Sequence, residues 1–277
     1  MTKLFYLFFL FQFYAISGQF QITTDRRYPP SPYSAEMKDI AEFVVLYNIT
    51  FIDEKDKKND AQAILQIGNH FSKFIGITNL KRDSLMQEHS KEESIGAKEI
   101  NELGRLKLIY KKNILKDWVS HSIFFQERIS TTVYQYQESF PTQNWMLTND
   151  KRTILGYHCK SAKLNFRGRN YLAWYTEEIP KNDGPANFSG LPGLILKITS
   201  DDGIYDFSAI AIEKKKMKIY WRNEKKILQI SRTDFRKIQR NYFENPGLFL
   251  HGKAYDSNGN EIVPKFNSKP YNPLELE

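Results

Sequence analysis

Glu177 and Glu178 stand side by side at the end of an aromatic run, Tyr171-Leu172-Ala173-Trp174-Tyr175-Thr176. Two carboxylates can divide acid and base work on a glycosidic bond when both reach one substrate, but neighbours on a strand point to opposite faces. They read as separate edge carboxylates, unless folding brings a distant acid such as Asp183 or Glu127 to Glu178. Other chemistries find less. Ser189-Gly190 lacks the nucleophile elbow because the position two before the serine is Asn187. Asp53, Asp56 and Asp60 have neither the spacing nor the bend glycine of a calcium loop, and lysines interleave with them. His121 has no second ligand at useful spacing. Cys159, the one cysteine, alternates with Leu155 and Tyr157 and reads as a small buried hydrophobe. The chain carries no H-E-x-x-H, paired-cysteine site, P-loop or dinucleotide fingerprint. No catalytic residue, metal or cofactor is assigned, and the reading leans away from an enzyme.

The aromatic run itself is the better candidate. Tyr171, Ala173 and Tyr175 fall on one side of the strand and Leu172, Trp174 and Thr176 on the other. A strand with bulk on both faces is either sandwiched or lines a groove with one of them. Tyr171, Trp174 and Tyr175, together with Phe188 and Leu191 from the loop that follows, are the candidate binding residues; the competing reading is that they pack the core. Gly190, Pro192 and Gly193 form the structural turn that launches the next strand, with Pro192-Gly193 suited to the centre of a type II turn.

The elements that position these residues read as mainly β, within an α+β class: a curved antiparallel sheet meander. Strands are expected at 40–52, at 61–75 with Gly68 as a bulge or bend, at 118–126 and 129–137 joined at Glu127-Arg128, and at 145–147. A turn at 149–151 leads to strands at 153–166 and 171–179, and further strands follow at 194–199, 205–212, 218–222 and 225–230. One or two exposed helices are expected in residues 83–103 with a break near Gly96, and a C-terminal helix near 231–243 with Ser231 as its N-cap.

Residues 1–18 read as a signal peptide: Lys3, then an apolar run, then Ala15, Ser17 and Gly18. The apolar run is shorter than the roughly 20 residues of a bilayer span, which favours cleavage over a retained anchor. Residues 19–34 read as an extended leader, 35–245 as a single domain, and 246–277 as a partly disordered tail. A chain of 277 residues with 41% hydrophobic and one cysteine must be held by its core, not by an internal disulfide. The formal net charge of +8 is spread over scattered lysine clusters, which in an exported protein argues against nucleic acid and for a solvated surface that meets anionic lipid, lipopolysaccharide or acidic glycans.

Asn144-Trp145, the run ILGYHCKSA at 154–162, Gly168 to Tyr171, Ala173 to Thr176, Glu178-Ile179-Pro180, Gly184-Pro185 and GLPGLI at 190–195 occur in an order that resembles the GLPGLI family of exported Bacteroidetes proteins. The resemblance implies a β-rich exported domain in the periplasm or at the cell surface and supplies no catalytic residues. The function expected is a non-catalytic binding or accessory domain of the envelope, with an envelope protein, glycan or lipid as partner. The alternatives are a lipid or lipoprotein carrier with a concave apolar sheet face and a hydrolase of envelope polymers.

Overall fold

The computed structural model describes residues 22–52, 57–249, 254–255, 261–262, 268 and 272–276. The expected signal peptide, the first residues of the leader and most of the tail lie outside these.

The fold is mainly β and is built on one 12-stranded curved sheet. In chain order come β1 (Ala35–Ile52), β2 (Lys58–Ile67), β3 (Phe71–Gly76), the helices α1 (Ile77–His89) and α2 (Ala97–Gly104), then β4 (Lys112–Asp117), β5 (Ser122–Ile129) and β6 (Thr132–Ser139). A second meander follows: β7 (Met146–Ile154), β8 (Tyr157–Phe166), β9 (Arg169–Thr176), β10 (Leu194–Ser200) and β11 (Tyr205–Arg222), closed by the short β12 (Leu228–Gln229) and α3 (Arg232–Glu244). The order across the sheet is β12-β6-β5-β4-β3-β2-β1-β11-β10-β9-β8-β7. Neighbours pair antiparallel except β12 on β6. The two meanders are thus joined by the long pairing of β1 with β11.

That central pair is irregular, with register shifts between Met37 and Asp39, Ala41 and Phe43, and Leu46 and Tyr47. Extra residues in one strand bend and twist it, and here the bend folds the end of β11 across the first meander. Gln66 Nε2 donates to the Lys218 carbonyl at 3.3 Å, Lys73 Nζ to that of Tyr220 at 2.6 Å and Gln126 Nε2 to that of Arg222 at 2.7 Å. Trp221 Nε1 reaches Gln135 Oε1 at 3.1 Å. With β12 then laid on the β6 edge, this half of the sheet closes on itself around Ala41, Val44, Leu115, Ile219 and Trp221. Its buried Arg222 is paired with Asp83 of α1 at 3.3 Å and with Glu224 at 2.7 Å.

The opposite side of the sheet holds the larger core. Phe74 meets Tyr47, Tyr110 and Phe207 edge-on, and Phe125 stacks on Tyr136 with centroids 4.5 Å apart, covered by Phe235 of α3. Into this core descends the segment between β9 and β10. Lys116 of β4 holds it there: Nζ donates to Asp183 Oδ1 at 2.6 Å and to the Gly184 and Phe188 carbonyls at 2.9 Å each. Both side chains of the ion pair are 2% exposed. Tyr47 adds a hydroxyl bond to the Ile195 carbonyl at 2.6 Å. Burial pushes the Lys116 ammonium below its usual value, opposed by Asp183. The same surroundings raise the Tyr47 phenol.

Several sequence expectations are corrected. Residues 61–75 are two strands and not one; the chain bends back at Gly68 as a hairpin, not a bulge, and Asp39 Oδ2 accepts from the amides of His70 and Phe71 there. Residues 118–121 are a turn, with His121 at φ 51°, and the strand before it, β4, was not expected at all. The β7–β8 turn sits at Leu155-Gly156, not at 149–151, where the strand is instead irregular. Residues 205–222 run as one strand, and β12 pairs with β6 and not with 218–222. Pro192-Gly193 is not a type II turn: the Gly193 amide bonds the Leu191 carbonyl at 2.7 Å, and Gly193 has φ 153°. Glycine is needed there because a Cβ would lie 2.1 Å from the Thr176 carbonyl oxygen. In the tail, residues 272–276 dock on the sheet, with Glu275 paired to Arg167 at 2.7 Å and to Arg232 at 2.6 Å. The expected helices agree more closely: α3 starts on Ser231, whose Oγ accepts from the Asp234 amide at 3.0 Å, and α1 and α2 flank Gly96, with α1 opening six residues early.

Lys116→Met leaves a buried carboxylate without its cation and should lower unfolding free energy by about 3–5 kcal/mol in urea titrations. Burial pushes Lys73 down to about 8. Above that pH the folded chain holds the amine neutral while the unfolded chain still binds the proton, so stability rises with pH until the ordinary lysine value. Lys73→Met should therefore reduce the upward slope of stability by up to about 1.4 kcal/mol per pH unit, reached midway between about 8 and the ordinary lysine value, read from urea curves of both proteins.

Candidate functional site

The alternation expected in β9 holds, and it separates the candidate residues. Tyr171 and Tyr175 face the larger core, where Phe188 and Leu191 join them; all four are buried. The Tyr171 hydroxyl donates to the Leu274 carbonyl at 2.6 Å and its ring meets Phe188 edge-on at 4.8 Å. These four hold the loop in place and have no surface to offer a ligand. Trp174 points the other way and remains half-exposed, with the Arg152 guanidinium 4.6 Å from the centre of its ring. An arginine stacked on an aromatic face fixes the ring and adds a favourable cation–π term.

Cross-strand register shows what surrounds Trp174. Directly opposed residues in antiparallel strands share a face. Trp174 opposes Lys197, Lys197 opposes Ser208, Ser208 opposes Asn48 and Asn48 opposes Gln62, so one row crosses β9, β10, β11, β1 and β2. The next row on the same face runs Leu172, Thr199, Asp206, Thr50, Asp60. These side chains bond among themselves. Lys197 Nζ donates to Asp206 Oδ2 and Ser208 Oγ at 2.7 Å each, and Ser208 Oγ donates to Asp206 Oδ1 at 2.5 Å. Thr50 Oγ1 donates to Asp60 Oδ1 at 2.6 Å and Gln62 Nε2 to Asn48 Oδ1 at 3.2 Å. None of the two rows is fully buried. The face is an ordered layer of hydroxyl, amide, carboxylate and ammonium groups with one braced indole.

A groove of about 490 Å³ opens beside the Trp174 end, lined by Arg152, His158, Cys159, Lys160, Glu177 and Glu178 among others. The two glutamates follow the end of β9 and so border one groove, against the expectation of opposite faces. Each is occupied: Glu177 Oε2 lies 2.8 Å from Lys160 Nζ, and Glu178 Oε1 accepts from the His158 amide at 2.7 Å and lies 3.1 Å from its Nδ1. The His158 amide bond, helped by the imidazole, holds the Glu178 carboxyl below its ordinary value, so it stays ionised. Asp183 is sealed under the loop with Lys116 and does not join Glu178. Cys159 is buried and its thiol is pushed up by that burial, which disfavours the thiolate. Among the described residues no group of three or more His, Cys, Asp and Glu side chains is arranged to hold a metal ion.

The sequence singles out Trp174 but not the residues around it, Arg152, Lys197, Ser208, Asn48 and Gln62. The last three lie in strands read correctly as strands; their place beside Trp174 depends on pairing across more than 100 residues of chain, which no local pattern carries.

Residues 109–236 match the family model described as N-glycanase peptide, N-terminal domain, a span of less than half of the chain. No curated protein matches. Two solved structures of PNGF-II are similar: in the P21 space group with 13% identity and a TM-score of 0.48 over 73% of this chain and 33% of that one, and in the C2 space group with 14% identity and a TM-score of 0.49 over 73% and 32%. The alignments span about a third of the length of those proteins.

Core and surface aromatics should separate on mutation. Phe188→Ala should cost about 3–5 kcal/mol of unfolding free energy in urea, and Trp174→Ala less than about half as much.

Proposed function

We propose that this chain is an exported, non-catalytic accessory domain that binds glycan on the outer sheet face centred on Trp174. The observation that carries the reading is the half-exposed indole braced by Arg152 at the head of a continuous polar row. A pyranose ring has an apolar C–H face that lies against an indole and a rim of hydroxyls that need donors and acceptors; the row supplies both kinds beside one aromatic surface.

The alternatives fit the molecule less well. An acyl carrier needs a long open apolar concavity, but Tyr175, Phe188, Leu191 and their neighbours fill the apolar side behind β9 and leave a groove of about 130 Å³ beside Tyr110 and Tyr205. A glycan hydrolase needs a protonated acid and a second carboxylate at one bond, whereas Glu178 is held ionised and Glu177 is tied to Lys160.

Export rests on the signal-peptide reading of residues 1–18, and an envelope setting, periplasmic or at the cell surface, rests on the GLPGLI resemblance. The match of residues 109–236 to the N-terminal domain of an N-glycanase supports an accessory domain that works where glycans are processed.

The full chain should be retained by immobilised neutral oligosaccharides. Trp174→Ala should weaken retention by about tenfold or more, the equivalent of roughly 1.4 kcal/mol, with a melting temperature close to that of the parent. Absence of retention by any neutral glycan, or retention unchanged in Trp174→Ala, overturns the reading.

A further inference from the structure

Resting on the glycan reading, the structure assigns the two polar rows as a chain-length-dependent site: an uncharged linear oligosaccharide lies across the strands from Trp174 to Gln62, not along them and not as a single sugar at the indole. The row Trp174, Lys197, Ser208, Asn48, Gln62 crosses five strands. Four steps of roughly 4.8 Å carry it about 19 Å, the reach of several pyranose rings and far more than one.

Three features favour a long occupant. The row ends in a second groove, of about 390 Å³, lined by Asn48, Thr50, Asp60, Gln62, Thr78 and Tyr110 among others. A site that served only a single sugar at Trp174 would have no use for a hydrogen-bonding trough at the opposite end of the same row. Second, the polar groups are held in place by one another: Lys197, Asp206 and Ser208 form a closed triangle of bonds, and Thr50 and Gln62 are tied to Asp60 and Asn48. Side chains already ordered lose little further freedom on binding, so each contact along the row adds to affinity. Third, the one ammonium on the rows, Lys197, is paired with Asp206, and Asp60 adds a second carboxylate. The rows therefore carry no excess of positive charge, which suits hydroxyl-rich neutral chains and not sulfated or uronic ones.

The test measures binding of the full chain by calorimetry to matched neutral series of glucose-, mannose- and N-acetylglucosamine-based oligosaccharides, from two to six units, with a sulfated hexasaccharide for comparison. In at least one series affinity should rise about tenfold or more between two and five units. The double substitution Asn48→Ala with Gln62→Ala lies on exposed side chains and should keep the melting temperature. It should lower affinity for the longest chains about fivefold or more and leave the disaccharide unchanged, whereas Trp174→Ala should weaken every length. Trp174-dependent binding that is independent of length and of Asn48 and Gln62 overturns the extended site while leaving the glycan reading standing. Binding of the sulfated chain alone, lost at moderate salt, overturns the neutral assignment. Failure of every oligosaccharide to bind overturns both readings.

Discussion

Lys116 and Asp183 form an ion pair taken wholly out of water, and the arrangement of the domain turns on it. Two charges in a low-dielectric interior lose several kcal/mol of hydration each, and mutual attraction offsets this only with good geometry and full use of the remaining donors. Here the ammonium spends its other hydrogens on the Gly184 and Phe188 carbonyls, which a descending loop would otherwise leave unbonded inside the core. The pair therefore solves two problems together: it neutralises the charge and satisfies backbone groups that no strand neighbour can reach. One carboxylate oxygen, Asp183 Oδ2, has no partner among the described residues, so the loss of the cation would fall directly on the acid.

Pinned in this way, the loop carries Ala186, Phe188 and Leu191 down between the meanders and fills the apolar side of the sheet. The glycines nearby answer to that descent. Gly184 lies where a Cβ would touch Ile195 at 2.8 Å, and Gly193 passes over the Thr176 carbonyl with no room for a side chain. The GLPGLI stretch is thus the exit of a plug, with its apolar residues in the core and its proline exposed. The loop fills the apolar side behind β9, and the odd-and-even alternation of β9 sets Trp174 on the other face, apart from its tyrosine neighbours. The interior and the proposed site are opposite consequences of one strand.

What could be read in the sequence follows from the range of the forces involved. The helix α3 announces itself through Ser231 and a local apolar spacing, and the two faces of β9 through strict alternation, since both are fixed within a few residues. Strand β4 was invisible because Lys112, Asn113 and Lys116 look like surface positions; they are covered only because other elements arrive, Asp183 on Lys116 and α1 beside Asn113. The same holds for β11, whose lysine-rich middle resembles a turn, yet stays paired with β1 on both sides of a register shift, Lys214 against Phe43 and Lys218 against Ile40. The proposed binding row is the extreme case. Its members span positions 48 to 208, and their adjacency exists only once β1 pairs with both β2 and β11.

The interior lies behind Lys116 and the proposed ligand face on the outer rows, and the two are separable by backbone amide shifts in the isotope-labelled full chain titrated with a neutral pentasaccharide. The Trp174 indole and the amides of Lys197, Ser208, Asn48 and Gln62 should move, with Gly184 to Leu191 unmoved. Shifts concentrated in Gly184 to Leu191, with the outer rows silent, would contradict this placement.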